Sequence, residues 1–198
     1  GRREPSGARP RAGPAASPNA LGPQFQARAV LAESETAPTF RAPMATPENA
    51  GARGEYSADH VESFELEEAL ADGPVVLAFF PGIYSRTCTQ ELCAFRDWLS
   101  DLGELDAAVY GVSADTPWSQ LAFIDEYGLP YPLLSGFNNT VIEDYGLRVD
   151  RGLFEGIARR AVFVIASDGT VVYRWQDDTP GVLPEMEEVE AAIEAARS

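Results

Sequence analysis

The chain has 198 residues, 45% of them hydrophobic, which is enough for one ordinary folded core with some length to spare. Its formal charge of −16 argues against nucleic acid or an anionic membrane surface as a partner, because both require a cationic footprint. Two cysteines and a single histidine are too few for a disulfide-stapled scaffold or a tetrahedral zinc site.

The charge is unevenly spread. Residues 1–30 hold five arginines against Glu4, a charge of +4, which leaves −20 on the remainder. The chain has no lysine. At about 1 M salt the Debye length falls to about 3 Å, so self-repulsion on such a surface costs little there. The acidic, lysine-free composition therefore reads as adaptation to high salt. A high-GC genome that encodes arginine in place of lysine is the simpler alternative. Residues 1–30 are rich in Arg, Pro, Gly and Ala without apolar periodicity and read as a disordered extension. Their repeated prolines oppose an amphipathic transit helix. Residues 31–198 read as one globular domain.

Within that domain the elements alternate. Phe64–Leu70 reads as a short helix, and Val75–Phe80 as a buried strand that stops at Pro81 and is far too short to cross a bilayer. Cys88–Leu102 follows as a helix, then Ala107–Ser113 as a second apolar strand and Pro117 to Tyr127 as a helix. A short helix is predicted over Thr140–Tyr145. Ala161–Ala166 and Thr170–Trp175 flank Ser167-Asp168-Gly169, a hairpin turn. Pro184–Arg197 shows a helical stripe at Met186, Val189, Ala192 and Ile193. Strands joined by helical crossovers predict an α/β fold, a central mixed sheet with helices on both faces.

The stretch from Ala78 to Asp97, AFFPGIYSRTCTQELCAFRD, carries the chemistry. A buried strand ends at Pro81, a short loop follows, and Cys88 is expected to begin a helix. Unsatisfied N–H groups and the positive end of the helix dipole there favour thiolate over thiol. Arg86 adds positive charge, and the Ser85 hydroxyl can donate to the sulfur or to a bound oxygen. These are the requirements of a thiolate nucleophile.

Pro81, Ser85 and Cys88 stand at the spacing of the peroxiredoxin motif, and here the chain resembles that family. Tyr84 takes the aromatic position before the hydroxyl residue, and Glu91 the acid after the cysteine. Cys93, five residues past Cys88, is similar to the resolving cysteine of the bacterioferritin-comigratory or Q subgroup. Ser85 departs from the commoner threonine, as does Gln90. The resemblance extends to Ala37-Pro38-Thr39-Phe40, to Gly111-Val112-Ser113-Ala114-Asp115, to Leu129-Pro130-Tyr131-Pro132-Leu133-Leu134-Ser135 and to Arg160–Ile165, covering roughly residues 35–195. Gly136 stands where the family usually has aspartate.

The resemblance implies a thioredoxin-like fold and a cytoplasmic thiol peroxidase. Cys88 would attack a hydrogen or organic hydroperoxide, and Cys93 would resolve the sulfenic acid as an intrachain disulfide. Thioredoxin or a similar dithiol protein would then reduce the product. Arg160 would orient thiolate and peroxide, with Arg159 as its rival if the strand slips by one. Ser85 would help Arg160 hold the peroxide, Pro81 would shape the pocket, and Tyr84 and Glu91 would lie at the substrate. No metal or cofactor is implied, and a monomer or weak homodimer suffices. Residues i and i+5 of a helix lie about 7.5 Å apart along the axis and about 140° around it. A disulfide needs Cα atoms about 4.4–6.8 Å apart, so this helix would have to unwind in each cycle.

Plainer readings stand beside these. Cys93 can be a core cysteine, Arg160 a salt-bridge partner, Ser85 a helix cap and Glu91 a first-turn acid. His60 reads as a surface residue, Trp98 and Trp118 as packing residues, and Asp177 and Asp178 as a solvated face. The competing functions are a thiol–disulfide oxidoreductase, weakened by the lack of a Cys-x-x-Cys spacing, and a redox-sensing interaction protein.

Overall fold

A computed structural model of the chain describes residues 28–102 and 106–197. Most of the expected N-terminal extension thus lies outside the described residues. Val30 packs against the core, and the Leu31 N–H donates to the Tyr145 carbonyl at 3.2 Å.

Seven strands among the described residues form one mixed sheet: β1 (Arg41–Ala45), β2 (Glu62–Glu65), β3 (Val75–Phe79), β4 (Ala108–Ser113), β5 (Leu133–Ser135), β6 (Ala161–Ile165) and β7 (Val171–Gln176). Their spatial order is β2-β1-β5-β4-β3-β6-β7. The three inner strands β3, β4 and β5 run parallel, and the other pairings are antiparallel. Every residue of β3 and of β6 is buried, as expected for apolar runs covered on both faces. Alternation along β3 sends Val75, Leu77 and Phe79 into one apolar cluster with Phe64, Leu66, Tyr145 and Phe163. Val76, Ala78 and Phe80 point to the other, with Cys88, Leu92, Phe95, Leu121 and Val189.

Among the described residues five α-helices cover the two faces: α1 (Leu66–Asp72), α2 (Arg86–Leu102), α3 (Pro117–Tyr127), α4 (Val141–Asp144) and α5 (Met186–Ala196). Pro117 starts α3 and Gly128 ends it in the left-handed conformation (φ 59°), its N–H donating to the Ile124 carbonyl. The hairpin at Ser167-Asp168-Gly169 forms as expected, with Gly169 at φ 85° and the Ala166 N–H bonded to the Thr170 carbonyl at 2.9 Å.

Three differences from expectation have physical causes. Phe64 lies in strand β2 and not in a helix, because pairing with Ala42 of β1 satisfies its backbone and buries its ring; the helix starts at Leu66. Strands β1 and β5 carry no alternation signal, since both are short and β1 contains Pro43. Helix α2 starts at Arg86, two residues before Cys88, because Ser85 caps it. No helix among the described residues is long and apolar enough to cross a membrane.

Candidate active site

The sheet register builds the site. Phe79 of β3 pairs with Ala161 of β6, so Arg160 comes to lie beside the end of β3. Phe79 also pairs with Val112 of β4, and Ser113 with Ser135 of β5. The carboxyl ends of three parallel strands therefore meet at one edge, the usual place for a site in such sheets. From there the chain crosses Pro81 to Ser85 and enters α2.

Cys88 sits in the first turn of α2 and is fully buried in the second apolar cluster. Its N–H donates to the Ser85 hydroxyl at 3.3 Å. Ser85 is thus the helix cap, and its hydroxyl hydrogen is left available to donate elsewhere. Arg160 brings its Nη2 to 4.0 Å from the Cys88 sulfur. Arg159 points to the other side and pairs with Asp178 at 3.6 Å, so the rival position is not at the sulfur. Arg86, expected to add to the field at the cysteine, is exposed.

Glu91, one turn along α2 from Cys88, is buried and turned towards Arg160, with Nε to Oε1 at 2.6 Å. The Arg160 N–H is not aligned with that oxygen, so the contact is an ion pair more than a formed hydrogen bond. Burial pushes the Glu91 carboxyl up to about 7, against the lowering pull of the Arg160 charge. Phe80, Phe95, Trp175 and Pro184 close over the pair and leave a cavity of about 20 Å³. Glu91, expected as a first-turn acid or an active-site residue, thus stands as the buried partner of Arg160.

Tyr84 adopts φ 59°, rare for a bulky residue. Its ring stacks edge-on against Phe123, centroids 5.2 Å apart, and is half exposed. Partial burial and the neighbouring Glu126 push its hydroxyl up to about 12. Pro81 lies half-buried at the head of the loop.

Cys88 and Cys93 are both free thiols within the continuous helix α2, Cys88 buried and Cys93 half-buried. Five residues of helix separate them by about 7.5 Å along the axis, so this conformation is a dithiol form.

Of the remaining residues, His60 accepts the Ser57 N–H at 3.0 Å in a local cap. Trp98 packs against Phe95, as expected. Trp118 is packed less: it is about half exposed and lines an apolar groove with Pro117 and Phe137. Helix α3 has apolar residues nearly all round, and the sequence does not show which of them the sheet covers. Asp178 pairs with Arg159, and Asp177 accepts the Thr179 N–H at 2.7 Å. Among the described residues no group of three His, Cys, Asp or Glu side chains could hold a metal ion.

The model of the AhpC/TSA family matches residues 34–174. A Coxiella burnetii relative designated bcp is 36% identical over 121 residues, which cover 59% of this chain and 79% of that protein. The chloroplastic peroxiredoxin Q of Gentiana triflora is 39% identical over 98 residues, 50% of this chain but only 44% of the plant protein. Among solved structures, peroxidoxin BcpB from Mycobacterium tuberculosis superposes with a TM-score of 0.65 at 29% identity, covering 84% of this chain and 98% of that one.

Proposed function

The chain belongs to the AhpC/TSA family and has the thioredoxin-like fold of peroxiredoxins, and on that premise we propose that it is a thiol peroxidase in which Cys88 is the nucleophile and Cys93 resolves its oxidised form. The observation that carries the reading is the convergence of Cys88, the Ser85 cap and the Arg160 guanidinium at one strand edge.

In the proposed reaction the Cys88 thiolate attacks the terminal oxygen of ROOH. A sulfur–oxygen bond forms, the O–O bond breaks, and the departing RO⁻ takes a proton to leave as alcohol or water. Sulfur loses two electrons and the peroxide gains them. Arg160, with the Ser85 hydroxyl, stabilises charge that develops on the leaving oxygen. The apolar walls of Phe80, Phe95 and Trp175 keep water from the Glu91–Arg160 pair, which strengthens it. Glu91 orients Arg160 through Nε, so that Nη2 faces the sulfur. The Cys93 thiol then attacks the Cys88 sulfenic acid, forming the disulfide and releasing water, which protects Cys88 from further oxidation. A dithiol protein such as thioredoxin returns both sulfurs to the thiol state.

Peroxide consumption with thioredoxin and its reductase tests this. The wild-type chain should turn over, C88S should consume nothing, and C93S should react once without recycling. Turnover by C88S would refute the assignment, and a single reaction without recycling in the wild type would favour a sensor over an enzyme.

A further inference from the structure

The segment Gly111-Val112-Ser113-Ala114-Asp115 ends in a carboxylate to which the proposed chemistry gives no part. Asp115 Oδ2 accepts the backbone N–H of Ile83 at 3.0 Å, across 32 residues of sequence, and the Ser113 hydroxyl at 2.8 Å. Ser113, fully buried, in turn accepts from Gln120 Nε2 at 3.0 Å. Gln120, also fully buried, gives a second bond to the Leu134 carbonyl at 3.0 Å. Ser135 holds the other end, donating to the Asp115 carbonyl at 2.6 Å. Three polar side chains from the ends of β4, α3 and β5 are thus spent on fixing the position of one carboxylate.

What that carboxylate grips is the loop in front of Cys88. Among the described residues the Ile83 N–H has no backbone partner, so Asp115 alone satisfies it. Only Tyr84, at its strained φ of 59°, stands between Ile83 and the Ser85 cap. With Ile83 fixed, that conformation delivers Ser85 to the Cys88 N–H; with Ile83 free, Tyr84 can relax and carry the cap away.

We propose that Asp115 is a positioning residue for Cys88: it clamps the Ile83 N–H, so that Ser85 caps α2 and the sulfur meets Arg160. The clamp also marks the fixed boundary of the segment that unwinds when the Cys88–Cys93 disulfide forms. The inference deepens the peroxidase reading and rests on it.

Amide hydrogen exchange on the wild-type chain, in dithiol and disulfide forms, and single-step peroxide oxidation in a C93S background provide the test. The Ile83 amide should be protected in both redox forms, whereas amides from Cys88 to Leu92 lose protection in the disulfide form. D115A should expose the Ile83 amide and slow Cys88 oxidation by about tenfold to a hundredfold, the scale of a misplaced reacting group. D115N keeps an acceptor oxygen and should stay within about threefold of wild type. A merely structural aspartate would lower the melting temperature of both variants without separating their rates. Where D115A does not fold, the wild-type amide and D115N still decide. An Ile83 amide that exchanges as fast as that of Tyr84 in the dithiol form, or wild-type oxidation kinetics in D115A, would overturn the clamp. A wild-type chain inert to peroxide but with Asp115-dependent protection of Ile83 would refute the peroxidase reading and support the clamp.

Discussion

Arg160 Nε lies 2.6 Å from Glu91 Oε1, with both side chains about nine-tenths buried, while the Nη2 of the same guanidinium lies 4.0 Å from the Cys88 sulfur. One arginine thus joins a buried carboxyl to the proposed nucleophile, and through it the state of the carboxyl can reach the sulfur.

The Glu91 carboxyl holds its proton up to about pH 7, against an ordinary value of 4.5, chiefly because burial disfavours its charge. With the folded value raised, its contribution to stability is complete below about pH 4.5 and is lost as pH rises through about 7. E91Q removes this component, so the difference in melting temperature between about pH 5 and about pH 8 should be smaller than in wild type. Ionised Glu91 also orients Arg160 more firmly than the neutral acid does. In single-turnover oxidation the ratio of wild-type to E91Q rates should therefore rise as pH passes about 7. A ratio flat with pH would detach Glu91 from the reaction.

Arg160 and Arg159 adjoin in sequence and differ in what they touch. R160M should slow Cys88 oxidation by about 10²–10³, the scale for removing a donor aimed at developing charge. R159A removes only a surface pair with Asp178 and should change the rate by less than about twofold. Equal losses in a stopped-flow comparison would mean that general charge, not position, matters.

A Cys88–Cys93 disulfide would have to break α2. Both cysteines lie inside the 17-residue helix Arg86–Leu102, and no intact helix brings residues five apart within disulfide range. Far-ultraviolet circular dichroism should lose helical signal on conversion to the disulfide and recover it on reduction. An unchanged spectrum, with the Cys88–Cys93 bond verified by peptide mapping, would contradict the single-helix account.

The charge of −16 should make stability depend on salt. With repulsion screened at about 1 M KCl, the melting temperature should exceed that at about 0.05 M. A melting temperature indifferent to KCl would remove salt adaptation as the reason for the acidic, lysine-free composition.

The strand–loop–helix around Cys88 was legible because it is local: an unbroken apolar run, two loop-forming residues at Pro81 and Gly82, and a polar helix start. The local resemblance over Arg160–Ile165 already favoured Arg160 over Arg159, but what sets the two apart in space is the pairing of Phe79 with Ala161, a register between strands some eighty residues apart. The burial of Glu91 was equally hidden, since its neighbours Trp175 and Pro184 come from the far end of the chain. The bond from Ile83 to Asp115 joins segments whose adjacency follows only from the parallel pairing of β3 and β4. Strands β1 and β5 escaped because Pro43 and the three-residue length of β5 leave no period to detect.

The most direct test is the second-order rate constant of Cys88 with hydrogen peroxide, measured by stopped-flow in a C93S background against free cysteine at the same pH. With Arg160 and the Ser85 cap at the sulfur, the protein thiol should react at least about 10²–10³ times faster than the free amino acid. A rate indistinguishable from that of free cysteine would contradict the account.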